Sequence, residues 1–237
     1  MPRKANYDRD TLIDKALELF WKCGWAGTSM KDLEAALDLR PGSFYAAFGS
    51  KEALYGLALD RYAALGTVRL RNLARENDPL SALKAHLFAV VSAGESATGD
   101  EDSTEPCAKP AARACMLAKT LLELGPQGSA LADQASAHLK RMEGEFAALF
   151  RAAQVANHVS PERDPDQLAR RFQSDLLGLR VSAERADVDA RVLAKQIGDD
   201  LDRLAAPCRA ADRDRLSQPL STPTTSEDTT GTTFIDQ

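Results

Sequence analysis

Thr28–Leu54, TSMKDLEAALDLRPGSFYAAFGSKEAL, is the stretch from which the rest of this chain can be read. Ser29 and Asp32 fit the pattern [ST]-x-x-[DE], in which a hydroxyl accepts from an orphan helix amide and the carboxylate reaches back to the cap. Leu33, Ala36 and Leu37 then recur on one helical face. Asp38-Leu39-Arg40 turns the chain, with Asp38 able to take a left-handed conformation. Pro41 starts a second short helix at the position where its missing N–H costs nothing. That helix runs to Phe48 with Phe44 and Phe48 inward, and Ser50 caps a third helix from Lys51. Two short helices joined by a tight turn are the geometry that lays a recognition helix in a DNA major groove.

The same periodicity extends in both directions. Upstream, Ile13, Ala16, Leu17 and Phe20 make an amphipathic helix over residues 8–23, which Gly24 ends. Downstream, Leu54, Leu57, Ala58, Leu65 and Val68 predict one long helix from Lys51 to about Asn77. Asp78-Pro79 is an N-cap and N1 proline opening a helix to about Ala93. The segment GESATGDEDSTEPCAKP, residues 94–110, is acidic and poor in large apolar residues, and reads as a mobile loop. Further helices are expected over about 111–124, 129–157, from Pro165, and from about Val188. After Pro207 the composition shifts to Ser, Thr, Pro and Asp, the signature of a disordered tail. No strand pattern or repeat interrupts this, so an all-α chain is expected.

Composition narrows the function. The 237 residues are 44% apolar and 27% charged, ordinary for a globular protein. Arg3 and Lys4 are followed by no apolar run, and no stretch approaches the ~18 apolar residues of a membrane span, so a cytoplasmic location without membrane attachment is expected. Residues 1–60 hold eight Lys/Arg against nine Asp/Glu, so the domain that would touch DNA has no overall basic footprint. DNA binding must then rest on where the cations lie. Cys23, Cys107, Cys115 and Cys208 form no C-x-x-C pair, and His86, His138 and His158 are scattered. No metal site, cofactor or enzymatic motif is therefore expected.

Order and spacing then bring a resemblance into view. Phe20-x-x-x-Gly24-Trp25, Thr28-Ser29 and Gly42-Ser43-Phe44-Tyr45-x-x-Phe48-x-x-Lys51-Glu52-x-Leu54 resemble the N-terminal DNA-binding domain of the TetR family of bacterial regulators. The resemblance implies a three-helix helix-turn-helix domain over 1–55, and a larger helical effector-binding and dimerisation domain over 56–206. Residues 207–237 are left as the tail. It further implies a homodimeric repressor that binds double-stranded operator DNA and is released by a small-molecule effector. The tyrosine matching Tyr45 bonds a phosphate in that family. Lys51, a cation at a helix N-terminus, and Ser29 are the other expected phosphate contacts. Lys31, Arg40, Pro41, Gly42, Ala46 and Ala47 are the residues expected to face the bases, with Arg40 either pairing with guanine or holding a phosphate, and Ser43 is a further expected DNA contact. Ala46-Ala47 and Asp38-Leu39 depart from the family's usual residues, which leaves the operator sequence open. Arg3 and Lys4 form a short basic arm, to be read either as a minor-groove contact or as a solvated tail.

The rest of the chain offers softer expectations. His86, Phe88, Met116, Met142, Phe146 and Phe172 are candidates for the pocket lining, with core packing as the competing role. Leu176 and Leu179 facing Leu201 and Leu204 are expected at the dimer interface, with an intramolecular bundle as the alternative. Cys115, with Cys107 eight residues earlier, is a candidate thiol sensor of oxidants or electrophiles. A helical interaction protein without specific DNA binding is the rival from another class.

Overall fold

The computed structural model describes residues 8–95, 114–125 and 128–205. Arg3, Lys4, Cys107, most of the acidic segment and the tail, for which expectations are given above, lie outside them. Among the described residues every regular element is a helix: α1 Arg9–Cys23, α2 Met30–Leu37, α3 Pro41–Phe48, α4 Lys51–Glu76, α5 Pro79–Glu95, α6 Met116–Leu124, α7 Ala130–Val155, α8 Pro165–Ser182 and α9 Ala190–Asp202.

Local chemistry explains most starts. Asp8, Ser29, Ser50, Ser129, Asp164 and Asp189 each accept a backbone N–H of the first turn of the helix they precede. Asp78 does the same for α5 through Leu80 and Ser81. The exceptions are α3, entered through Arg40 and Pro41, and α6, entered through Cys115, which have no side-chain cap. Asp38 ends α2 at φ 51°, ψ 45°, the left-handed conformation that the sequence allowed for it.

Two apolar cores result. In the head, Ala16 and Phe20 of α1, Leu33 and Leu37 of α2, Phe44 of α3 and Leu54, Tyr55 and Leu59 of α4 are buried. Cys115, Met116 and Leu117 of the α6 start, with Leu131 and Ala135 of α7, complete that cluster. The body core gathers Leu70 of α4, Leu83 and Leu87 of α5, Phe146 and Phe150 of α7, Phe172 and Leu179 of α8 and Ala194 and Leu201 of α9. At 26 residues each, α4 and α7 are about 39 Å long and serve both cores. The boundary expected at residue 55 thus falls inside a continuous helix.

Candidate nucleic-acid interface and ligand cavity

The head is held together by short-range polar devices. Asp32 N–H donates to Ser29 Oγ at 3.2 Å and Ser29 N–H to Asp32 Oδ2 at 2.8 Å, the complete capping box. The bonds from Ser29, side chain first, hold the Asp32 carboxyl below the usual carboxylate range. With α2 so anchored, α3 turns Phe44 and Phe48 into the core. Lys31, Arg40, Pro41, Gly42, Ser43, Tyr45, Ala46 and Ala47 are left together at the surface. Tyr45 is 54% exposed beside a wholly buried Phe44, as expected for adjacent residues about 100° apart on a helix. A Cβ on Gly42 would meet nothing within 4 Å, so the front of α3 is open to close approach. Ser29 is also exposed.

Lys51 is placed differently from the expectation. Its ammonium donates to Trp25 O at 2.6 Å and Thr28 O at 2.5 Å, and lies 4.2 Å from the Trp25 ring centroid. Two of its three protons are engaged inside the head, leaving one for a phosphate. Burial lowers its pKa, with Glu123 and Asp32 opposing.

Glu123 belongs to a set of residues that sequence reading missed. The last turn of α6 packs beneath the α1–α2 turn, where Glu123 Oε2 accepts from Ala26 N–H at 3.0 Å. Gly24, at φ 74°, sits so close that a Cβ would fall 2.2 Å from Glu123 Oε1. Lys119 Nζ donates to Trp21 O at 3.0 Å, Trp21 Nε1 to Ala114 O at 2.8 Å, and the Tyr55 and Thr120 hydroxyls share a bond of 2.9 Å. Contacts spanning 65 to 98 residues leave no local signal.

Behind the head, α1, α4, α5, α6, α7 and α8 enclose a cavity of about 580 Å³, within the range of small-molecule sites. Of the expected lining residues, His86, Met142 and Phe146 border it. Phe88 does not: two residues after His86 it lies on the far side of α5 and is 41% exposed. Met116 is buried in the head core instead. Phe172 stacks edge-on against Phe146 at 4.8 Å within the body core. Cys115, a wall residue, is 7% exposed.

The leucines expected at a dimer face are corrected as well. Leu176, Leu179 and Leu201 are buried within the protomer, Leu176 also bordering the cavity, and Leu204 packs on the body core. The most apolar stripe of each helix covers the chain's own interior. The outward faces carry Ser174, Gly178 and Val181 on α8 and Val192 on α9. Gly178 therefore serves no close approach inside the protomer.

One wall of the cavity is polar. Arg180 Nη1 donates to the Tyr62 hydroxyl at 2.9 Å. The Cys115 thiol and Met116 amide also lie against that hydroxyl, and burial raises the Tyr62 pKa. His86 is 3% exposed and its Nδ1 has no hydrogen-bond partner. Burial, aided by the charges of Arg180 and Arg69, pushes its pKa down to about 3, so the ring is neutral at physiological pH. Gln173 Oε1 on the same wall is likewise buried and unpartnered. Among the described residues no cluster of His, Cys, Asp or Glu could hold a metal, and no helix is long and apolar enough to cross a membrane.

Comparison with known proteins places this geometry. Residues 12–57 match the model for bacterial regulatory proteins of the tetR family, and residues 102–194 match that for the tetracyclin repressor-like C-terminal domain. The HTH-type transcriptional repressor ComR of Escherichia coli K12 is 27% identical over 184 residues, 76% of this chain and 81% of its own. The HTH-type transcriptional regulator TcmR of Streptomyces glaucescens is 28% identical over 207 residues, 85% of this chain and 84% of its own. Among solved structures, a cysteine mutant of the TetR-family regulator CifR, complexed with 26-base-pair double-strand operator DNA, superposes with a TM-score of 0.68. It is 28% identical and the match covers 86% of this chain and 98% of that one. With a helix-turn-helix head and a helical C-terminal domain that both match, this chain belongs to the TetR family of bacterial transcription regulators.

Proposed function

We propose that the protein is a homodimeric repressor that binds double-stranded operator DNA through α3 and is released when a small-molecule effector fills the cavity. The observation that carries this reading is the placement of α6. Cys115 and Leu117 at its start form cavity wall, while Glu123 in its last turn holds the Ala26 amide of the head. A ligand that shifts the start of α6 thus acts on the head through one short rigid element. The ligand lowers DNA affinity by as much as it prefers the shifted state, no more.

At the DNA end, Tyr45, Ser29 and the remaining proton of Lys51 serve as phosphate contacts, which set register without reading sequence. Lys31, Arg40, Pro41, Gly42, Ser43, Ala46 and Ala47 face the major groove. The arginine is suited to guanine and the alanine methyls to thymine. Two heads must sit about one DNA turn apart, ~34 Å, which requires a dimer. The outward faces of α8 and α9, around Gly178, Val181 and Val192, are the surfaces offered for it. The crystallised operator complex of CifR supports this reading. Thiol sensing is not adopted, because a cysteine 7% exposed is withheld from oxidants.

The test is a mobility shift of the full-length protein against DNA upstream of its own gene, followed by selection from random DNA. Retarded DNA, a selected palindrome and an altered motif for Lys31→Ala or Arg40→Ala are expected. A helical, dimeric protein that retards no DNA at low salt would instead be the interaction protein of the rival reading.

A further inference from the structure

The cavity wall specifies a charge as well as a volume. Five arginines and three carboxylates border it. Two arginines are neutralised in place, Arg61 by Asp14 at 2.7 Å and Arg71 by Glu145 at 2.5 Å. The third carboxylate, Glu18, is exposed. Arg141 turns to His138 at 2.5 Å. Arg69 and Arg180 have no carboxylate partner among the described residues, and both bear electrostatically on His86. Arg180 is half-buried, and among the described residues its hydrogen-bond partner is the Tyr62 hydroxyl, a neutral acceptor.

A guanidinium in such a place keeps several donors free, and its fork geometry matches a carboxylate. Beside it, His86 Nδ1 is buried and unpartnered although a buried polar atom ordinarily finds a partner. Around these groups lie apolar side chains, Trp21, Leu65, Leu139, Met142, Phe146 and Leu177, with the Phe146 ring 5.8 Å from His86 and the Trp21 ring 5.9 Å from Tyr62. A guanidinium without a carboxylate partner, set among apolar side chains, suits an amphipathic anion.

We infer that the cavity binds an organic carboxylate with an apolar body, its carboxylate on Arg180 beside His86 and its body against Trp21, Met142 and Phe146. The inference rests on the reading of this cavity as the effector site and adds the chemical class of the effector. A cationic or neutral amphiphile of the same shape would cover the half-buried Arg180 without giving it a counter-charge.

Three probes of one shape separate the possibilities: decanoate, decanamide and decylammonium, titrated calorimetrically into the full-length protein and into its operator complex. Decanoate is expected to bind at one site per protomer, at least tenfold more tightly than decanamide, with decylammonium weakest, and to release the DNA. Arg180→Met should bring decanoate down to the level of decanamide while leaving decanamide unchanged, and Arg180→Lys should retain part of the preference. Equal loss for all probes in Arg180→Met would show a merely structural arginine and overturn the assignment. So would a wild-type protein that binds decanamide or decylammonium as well as decanoate. If one of those two releases the operator, the effector reading stands and only the charge class falls. Decanoate held selectively with no effect on DNA would keep the anion site and remove the effector reading. Binding of none of the three would remove both.

Discussion

The turn of the head and the wall of the cavity lie at opposite ends of α6, and they treat polar groups in opposite ways. In the head nearly every polar atom near the turn is answered: Lys51 by two carbonyls, Glu123 by an amide, Thr28 Oγ1 by Gly24 O and Ser29 by Asp32. On the cavity wall His86 Nδ1 and Gln173 Oε1 are buried without partners, and Arg180 meets a neutral hydroxyl. Satisfied networks fix one geometry, which a surface that reads DNA must present. Unsatisfied ones leave free energy available to whatever completes them. The contrast separates a rigid reader from a receptive site within one chain.

Packing provides the largest way to break that contrast. Phe20 lies edge-on to Tyr55 at 4.6 Å and is wholly buried, so Phe20→Ala should cost ~3–5 kcal/mol in urea unfolding. Met142 already borders open space, and Met142→Ala should cost markedly less. Similar losses for the two would mean that the cavity is as tightly constrained as the head.

Lys51 gives the next effect. Removing its ammonium in Lys51→Met leaves two carbonyls without their donor and should cost about 1.5–3 kcal/mol, the range for hydrogen bonds to charged groups. Because the remaining proton holds a phosphate, the salt slope of operator binding should also flatten by about one unit. An unchanged salt slope would remove the ammonium from the phosphate contacts and leave it as a tie within the head.

His86 tests the other end. Its pKa is about 3 in the folded protein and near 6.5 when unfolded, so the unfolded state binds the extra proton between those values. Stability from this group is therefore complete above pH 6.5 and is lost as pH falls towards 3, by about 1.4 kcal/mol per pH unit. His86→Phe should unfold with a flatter acid limb than wild type. Superimposable limbs would show that the ring is not desolvated.

The smallest effect on stability belongs to Tyr45. Its hydroxyl has no hydrogen-bond partner among the described residues and the residue is 54% exposed, so Tyr45→Phe should alter unfolding by no more than ~0.5 kcal/mol. Operator affinity should nonetheless fall by ~1–2 kcal/mol, evenly across operator variants. A loss confined to some operators would make it a base contact.

The helices, most of their caps and the exposed row along α3 were legible because each rests on neighbours within one or two turns. Phe44 inward dictates Tyr45 outward, and Ser29 with Asp32 dictates a start. The pocket and the dimer face were read less well. Phe88 was placed beside His86, although two residues along a helix face nearly opposite ways. Leu179 and Leu201 looked like an interface because an apolar stripe is the same whether it meets another helix of its own chain or a second copy.

By itself the sequence determined the all-helical class, the reading head and its family, since capping, helical period and motif spacing are local in the chain. Only the tertiary structure decided that Glu123 grips the head and that Lys51 turns inward. It alone placed His86, Gln173 and Arg180 on one wall. Those arrangements join residues tens of positions apart, and the packing of whole helices, not any local preference, sets which side chains meet.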